Sequence, residues 1–448
     1  MNSSLTAKST KALILTVGTG DINKLETSLF APLKKSIKKG EWEKIILLPS
    51  QMTKSNAHAL SDMTAGMPIE INPLPKAKQE DDADACFNHF DQVIGSLLSD
   101  GFLPQNIMVD FTRGTKAMSA AMVLASIRRE LNNLRYISGP RDERGQVLPG
   151  QEAICEINPQ ISLASLRLDT ALRFISRGAF AAACDLLPDP DSPYSKLLWP
   201  QSLWDNMTSI RSMAQFYLKW DKFDYGGAFR IAESKHSDWS STKKTYSSWT
   251  QIFPTKEMRK WTQTLAEPLN KGHKQKPPVL RKIAADILAN AERRARDSQF
   301  EDAVVRAYRI RELIAQIRLF ERGLDSEAVP KDHPALVKVK VSLEKKGRSW
   351  HPGEGGAYQA SREKAAMLLN AMGDPLGNLL LQERNDGILS SKSRNNSLLI
   401  HGFRTLGDVD KKALMKDFKT VEQLLHKDNP DHAERHLQQA RSINFGMD

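Results

Sequence analysis

Arg394, Asn395 and His401 are residues of this sequence whose side chains could act together on one phosphate group. The segment that holds them reads Arg-Asn-Asn-Ser-Leu-Leu-Ile-His-Gly, and its apolar centre indicates a buried helix. In a continuous α-helix, Arg394 and His401 would share a face, with roughly 10 Å of axial rise between them. That separation is too large for joint work on one phosphate. We therefore expect an antiparallel second copy of the helix, across a two-fold axis, to complete the site.

The composition is that of a globular protein with more than one core. The chain has 448 residues, of which 40% are hydrophobic and 26% charged, and chains of this length divide into two or three domains. Cys86, Cys155 and Cys184 have neither a metal-binding nor a disulfide-like spacing, which indicates a reducing compartment. No apolar run approaches the roughly 20 residues of a membrane span. We therefore expect a soluble, cytoplasmic protein.

The positive charge of the chain admits a polyanionic partner. The net charge is +11 and the isoelectric point is about 9.4. Between Lys219 and Lys282, fourteen Lys/Arg stand against six Asp/Glu. The aromatic residues interleaved with them are Trp220, Trp239, Tyr246, Trp249 and Trp261. This pattern suits single-stranded nucleic acid, and a solvated basic face over a tryptophan-anchored core fits it equally well.

Buried strands alternate with amphipathic helices in the first third of the chain. Apolar runs predict strands over Lys11–Val17 and Lys44–Leu48, buried on both faces. Further strands are predicted at 68–71, 106–110 and 134–137, and helices near 25–37, 83–99 and 117–130. The alternation predicts an α/β, Rossmann-like domain with a doubly wound parallel sheet. A turn between antiparallel strands is expected within 136–157.

Two loops of this domain carry residues that suit phosphates or polar nucleotide edges. They follow strands one and four, which are neighbours where the strand order reverses, and ligands bind in that crevice. Neither loop matches the dinucleotide fingerprint or the Walker motif, and each taken singly is also an ordinary strand-to-helix turn. The first loop spans Val17–Asp21 and the second spans Asp110–Lys116, where Arg113 and Lys116 add positive charge.

Together the two loops resemble those of the CARF domain of type III CRISPR ancillary proteins. The resemblance is carried by Gly-Thr-Gly-Asp after strand one and Asp-x-Thr-x-Gly-Thr-Lys after strand four, and it covers residues 1–158. It implies a dimeric, Rossmann-like sensor of cyclic oligoadenylate, a ring of 3′–5′ linked adenylates. By this resemblance, the residues that would contact the ring are Gly18, Thr19, Gly20, Asp21, Thr112, Arg113, Gly114, Thr115 and Lys116.

The rest of the chain is predicted to be helical. Residues 159–278 read as an all-α connector that ends in a linker-like stretch, and residues 279–448 read as an all-α bundle. Arg309, Arg311 and Glu312 lie off the apolar stripe of a helix over 301–322, so we expect them in solvent. His432 and His436 lack the zincin arrangement and are expected on a solvated terminal helix.

Arg394-Asn395 followed by His401-Gly402 in such a bundle resembles the HEPN ribonuclease motif, in which four to six residues separate Arg from His. Residues 302–313 also resemble an early helix of that family. The resemblance implies an all-α HEPN bundle that cleaves single-stranded RNA without a metal. The alternative for the same residues is structural, an Arg and a His that pack between helices.

The chemistry of RNA then suggests a role for each motif residue. The 2′-OH can attack the adjacent phosphate, which leaves a 2′,3′-cyclic phosphate and a 5′-OH. Arg394 would bind the phosphate oxygens, since a guanidinium is always charged and bidentate. His401 would transfer a proton or hold the phosphate, and Asn395 would orient one or the other.

The two resemblances together imply a homodimeric endoribonuclease of CRISPR antiviral defence. Cyclic oligoadenylate would be its allosteric activator, and we expect no other cofactor and no metal. The alternative is a nucleotide-sensing regulator that binds RNA or DNA without cleaving it.

Overall fold

The computed structural model describes residues 11–140, 143, 148, 151–192, 199–266, 276–353, 355–385, 395, 405 and 408–445. By compactness the chain divides into two units. Unit 1 comprises residues 1–169 and 188–205, and unit 2 comprises residues 170–187 and 206–448. The predicted borders at residues 158 and 278 stay predictions. No helix in the described ranges combines the length and apolar content needed to cross a membrane.

Unit 1 is built on one six-stranded sheet. Its strands are β1 (Ala12–Val17), β2 (Lys44–Pro49), β3 (Ile69–Ile71), β4 (Ile107–Asp110), β5 (Asn133–Ser138) and β6 (Ala153–Ile157). The strand order is β3-β2-β1-β4-β5-β6. The first five strands are parallel, and β6 pairs antiparallel with β5. The predicted doubly wound fold is confirmed, and so is the adjacency of strands one and four.

Helices cover both faces of this sheet because its central strands are apolar on both sides. Alternate residues of β1 belong to two separate cores: Ile14 packs with α3 and α4, whereas Leu13 and Leu15 pack with α1 and α2. The helices of unit 1 are α1 (Ala31–Lys38), preceded by one π-helical turn at Glu26–Phe30, α2 (Lys54–Met63), α3 (Ala83–Ser99) and α4 (Lys116–Arg128). The sequence analysis did not predict α2.

The rest of the chain is helical, as predicted. The helices are α5 (Gln160–Ser176), α6 (Phe180–Leu186), α7 (Trp204–Asp221), α8 (Tyr225–Thr245), α9 (Lys256–Leu265), α10 (Pro277–Arg296), α11 (Phe300–Glu321), α12 (Pro334–Glu344), α13 (Arg362–Ala371), α14 (Pro375–Asn385), α15 (Asp408–Asp428) and α16 (Ala433–Arg441). Helices α10 and α11 pack along each other, and α15 and α16 pack against this pair.

The tryptophans of the basic segment anchor a core instead of forming a stacking surface. Trp220, Trp239 and Trp261 are all buried. The indole of Trp220 donates to the buried carboxylate of Asp286 at 2.8 Å, and Tyr225 donates to the other oxygen of that carboxylate at 2.8 Å. These three tryptophans therefore support the interpretation of a basic face over a tryptophan-anchored core.

One prediction about the bundle is wrong. Arg311 is fully buried, and its guanidinium donates to the carboxylate of Asp417 on α15 at 2.6 Å. A buried guanidinium needs such a partner, because an unpaired charge in the protein interior is costly. Arg311 therefore joins α11 to α15 and is not solvated.

Candidate functional site

The two predicted loops lie side by side at the carboxyl ends of β1 and β4. Their backbones touch: a Cβ placed on Gly18 would lie 2.8 Å from the amide nitrogen of Gly114. The hydroxyl of Thr16, on β1, donates to the carbonyl of Arg113. The absence of a side chain at Gly18 is thus what lets the two loops meet in one crevice.

The first loop is held by α2, the helix that the sequence analysis missed. The hydroxyl of Thr53 donates to the carbonyl of Val17 at 2.9 Å, and the amide of Asn56 donates to the carbonyl of Gly18 at 3.2 Å. Thr19 and Gly20 are exposed, and Gly20 has a φ of +68°. Those contacts fix the backbone of the loop while leaving the side chain of Thr19 open to a ligand.

Asp21 closes the first loop. Its carboxylate accepts from the backbone N–H of Asn23 at 3.0 Å, and its own N–H donates to the hydroxyl of Ser28 at 2.8 Å. Both bonds stabilise the segment that leads into the π-helical turn at Glu26–Phe30. The structure thus gives Asp21 a definite part in shaping the loop, and its predicted contact with a ring stays a prediction.

The second loop is organised by a buried carboxylate, Asp110, at the end of β4. Asp110 accepts from the backbone N–H of Thr112 at 2.9 Å and from the hydroxyls of Thr112 and Ser36. Arg135 of β5 lies 3.5 Å from the same carboxylate. Because the hydroxyl of Thr112 also accepts from the N–H of Ile137 at 2.9 Å, this side chain shapes the loop from both sides.

Thr115 and Lys116 begin α4. The hydroxyl of Thr115 caps the helix by accepting from the N–H of Met118 at 3.1 Å, and it donates to the backbone carbonyl of Glu80. Lys116 and Gly114 are exposed. The helix N-terminus and the ammonium of Lys116 provide positive potential at the crevice, which suits a phosphate.

Arg113 has the electrostatic character of a ligand-binding residue. Its guanidinium is half-buried, and among the described residues its Nε has no hydrogen-bond partner. Burial lowers the pKa of Arg113, and the carboxylates of Asp110 and Glu152 oppose that shift. An anionic ligand would compensate for the lost hydration of the guanidinium.

Sequence reasoning missed the residues that hold the crevice from outside the two loops. These are Ser36, Thr53, Asn56 and Glu80. The carboxylate of Glu80 is buried, and its Oε2 has no hydrogen-bond partner among the described residues. Asp110 gave a signal in the sequence through its position at the end of a buried strand. Its partners Ser36 and Arg135 could not be predicted, because they are distant along the chain.

The predicted catalytic motif is only partly described. Arg394 and His401 lie outside the described residues, and Asn395 is helical and exposed. The roles of all three residues stay predictions.

One group of described side chains has the residue types of a metal site. Glu422, His426 and Glu434 bring ligand atoms within 4.8 Å of one another. However, the carboxylate of Glu422 accepts from Arg441 at 3.0 and 3.2 Å. The imidazole of His426 lies 3.5 Å from Glu434. Since these contacts already engage the three groups, we assign no metal to them.

His436 corrects the expectation of a solvated terminal helix. Its imidazole is only 9% exposed, and its ring lies 5.8 Å from that of Trp261. Burial and the nearby charges of Lys282 and Arg435 lower the pKa of His436 to about 4. His432, four residues earlier, is exposed as expected.

Comparison with known proteins finds one family model and one solved structure to which the chain is similar. Residues 271–428 match the family model described as "Csm6 HEPN domain". Among solved structures, the chain is similar to Enterococcus italicus Csm6 bound to cyclic hexa-2′-fluoro-hexa-dAMP, with a TM-score of 0.59 and 13% sequence identity. That match covers 97% of this chain and 99% of the Csm6 chain. No curated protein sequence matches.

These findings confirm the resemblance predicted from the two motifs. The C-terminal part of the chain is similar to the Csm6 HEPN domain over residues 271–428. The whole chain has the Csm6 fold, an α/β sheet domain followed by helices.

Proposed function

We propose that this chain, with its Csm6 HEPN domain, is a ribonuclease of CRISPR antiviral defence that cyclic oligoadenylate activates. The observation that carries the proposal is the family match over residues 271–428, because that range includes Arg394, Asn395 and His401. The Csm6 fold of the chain and the crevice between the two loops of unit 1 support the proposal that cyclic oligoadenylate is the activator.

The proposed reaction is a metal-independent cleavage of single-stranded RNA. The 2′-OH attacks the adjacent phosphorus, the bond to the 5′-oxygen breaks, and the products are a 2′,3′-cyclic phosphate and a 5′-OH. Arg394 stabilises the charge on the phosphate oxygens. His401 transfers a proton or holds the phosphate, and Asn395 orients one of them. In a homodimer, the His of one protomer acts beside the Arg of its partner.

The proposed activator site is the crevice of unit 1. The ring phosphates would contact Arg113, Lys116 and the N-terminus of α4, and the small residues Gly18 and Gly114 would let the ring approach the backbone. Activation requires that the ring bind the active arrangement more tightly than the inactive one. Binding of the ring then shifts the population toward the competent HEPN pair.

The decisive experiment uses His401→Ala. We expect it to abolish activator-dependent RNA cleavage and to leave binding of cyclic oligoadenylate unchanged, since only the HEPN motif is altered. His351→Ala, at an exposed loop histidine that is not a residue of the proposed motif, is the matched control and should cleave normally. Undiminished cleavage by His401→Ala would overturn the assignment of the site, and a strict metal requirement would overturn the proposed chemistry.

A second experiment addresses the activator. Thr115→Ala combined with Lys116→Ala should raise the concentration of cyclic oligoadenylate needed for half-maximal cleavage, because the pair removes a cation and the cap of α4. Lys38→Ala, at an exposed lysine on α1, removes one charge outside the crevice and should not raise it. If the double variant needs the same concentration of cyclic oligoadenylate as the wild type, the activator does not bind at this crevice.

The alternative function is a regulator that senses the nucleotide and binds RNA or DNA without cutting it. The basic segment between Lys219 and Lys282 favours this alternative. Incubation of the protein with labelled RNA and a panel of cyclic oligoadenylates separates the two. Activator-dependent products that end in 2′,3′-cyclic phosphate indicate the enzyme, whereas a gel shift without products indicates the binder.

A further inference from the structure

Unit 2 contains a cleft whose lining does not include Asn395, the described residue of the predicted catalytic motif. It is formed by α9, the first turns of α10, and the start of α16 with the turn that precedes it, and its volume is about 620 Å³. Every side chain used in the argument below is described. We call this feature the basic cleft.

Positive side chains from three helices converge on the basic cleft. Lys260 comes from α9, Arg281 and Lys282 from α10, and Arg435 from α16. The one carboxylate among its lining side chains in the described part of the chain is that of Glu257. Like charges brought together by separate elements repel one another, so a cleft of this kind favours an anion.

The four cations are not equivalent. Arg281 donates to Glu321 at 2.6 Å and to Asp428 at 2.8 Å, so its charge is largely compensated inside the bundle. Lys260 and Arg435 are exposed and Lys282 is half-buried. The exposed side chains of Lys260 and Arg435 therefore supply positive charge at the open side of the cleft.

His436 forms part of the lining of the basic cleft. Burial is the main cause of its lowered pKa of about 4, and the nearby charges of Lys282 and Arg435 lower it further. The imidazole is therefore neutral near pH 7, and the positive charge of the cleft comes from its Lys and Arg side chains.

We propose that the basic cleft binds phosphate groups of single-stranded RNA, as a second contact outside the HEPN motif. The proposal rests on the proposed function, which supplies RNA as the polyanion. Trp261 is buried in the wall of the cleft, so it has no free face on which a base could stack. The contact is therefore to the backbone of the strand and does not depend on its sequence.

The test measures binding of a fluorescent 2′-O-methyl oligonucleotide by anisotropy over a series of salt concentrations. This strand lacks the attacking 2′-OH and is not cleaved. The variant is Lys260→Ala with Arg435→Ala, and both side chains are exposed. The matched control is Lys243→Ala with Lys244→Ala, which removes two exposed charges at the end of α8, outside the cleft.

We expect the cleft variant to bind the strand roughly fivefold or more weakly at low salt, and the control to bind it as the wild type does. The slope of log K against log salt should fall by about 1.4, which corresponds to two lost phosphate contacts on a single strand. Equal weakening in both double variants would overturn the proposal, because it would reflect net charge alone. Unchanged binding by the cleft variant would overturn it as well.

Two further arms identify the source of the phosphate and separate this proposal from the proposed function. If the cleft variant loses binding of cyclic oligoadenylate but keeps the strand, the cleft belongs to the ring and the assignment to RNA is overturned. Cleavage of unmodified RNA by the wild-type protein is measured in parallel. Failure to cleave would overturn the proposed function, whereas the binding data for the uncleavable strand would still decide the proposal on the cleft.

Discussion

Gly18→Ala tests whether the crevice of unit 1 is the activator site. The added methyl carbon would lie 2.8 Å from the amide nitrogen and 3.2 Å from the Cα of Gly114. Both atoms belong to the backbone, so no side chain can rotate away to make room. The two loops would have to separate, and the bond from Thr16 to the carbonyl of Arg113 would be stretched or lost.

Overpacking of this kind costs about 1–3 kcal/mol. If the ring binds only when the two loops keep their present arrangement, this free-energy cost weakens the affinity for cyclic oligoadenylate by about 5- to 150-fold. Isothermal titration of the variant with the ring measures the loss directly. Thermal unfolding, followed in parallel, shows whether the cost also lowers the stability of the free protein.

Gly355→Ala is the control, because its added methyl would have no atom within 4 Å. It should bind the ring normally and unfold as the wild type does. A Gly18→Ala variant with normal affinity for the ring would refute the reasoning, because it would mean that the ring does not depend on the contact between the loops.

Three further predictions concern unit 2. Asp417→Asn should lower the free energy of unfolding by about 3–5 kcal/mol, because it removes the carboxylate that pairs with the buried guanidinium of Arg311; chemical denaturation measures the loss, and Arg311→Met with Asp417→Leu should recover most of it. The folded-state pKa of His436, about 4, lies below its unfolded value, so the stability it contributes is present above about pH 6.5 and is lost as the pH falls toward 4. That loss is at most about 3 kcal/mol. When the free energy of unfolding of His436→Gln is measured at decreasing pH, this loss should be absent. Trp220→Phe should cost about 1–3 kcal/mol in denaturant unfolding, because the buried carboxylate of Asp286 loses a donor; an unchanged midpoint would contradict the role given to this bond.

The sequence predicted the sheet well because its signals are local. The continuous apolar runs of β1 and β2 can be buried only in the interior of a parallel sheet, and the bounds of α3 agree with those predicted. Helix α2 was missed because most of its residues are polar, with only Ala57 and Leu60 buried. Its contribution to the crevice, through Asn56, was missed with it.

The charged residues show where sequence reasoning stops. Arg311 lies beside an apolar stripe, and nothing near it in the sequence reveals that Asp417, more than a hundred residues later, would pair with it. The burial of His436 depends in the same way on Trp261, which belongs to another helix. Both errors assigned to solvent a side chain whose environment is set by the tertiary fold.

The Asp110–Arg135 pair lies beside Trp42, so it should influence the fluorescence of that tryptophan. The guanidinium of Arg135 lies 5.4 Å from the centre of the Trp42 ring, whose indole N–H donates to the carbonyl of Ile37 at 2.8 Å. The electric field at this indole therefore depends on the carboxylate that shapes the second loop. A ligand that rearranges the loop should change the emission wavelength of Trp42, which makes this residue an intrinsic fluorescent reporter of the crevice.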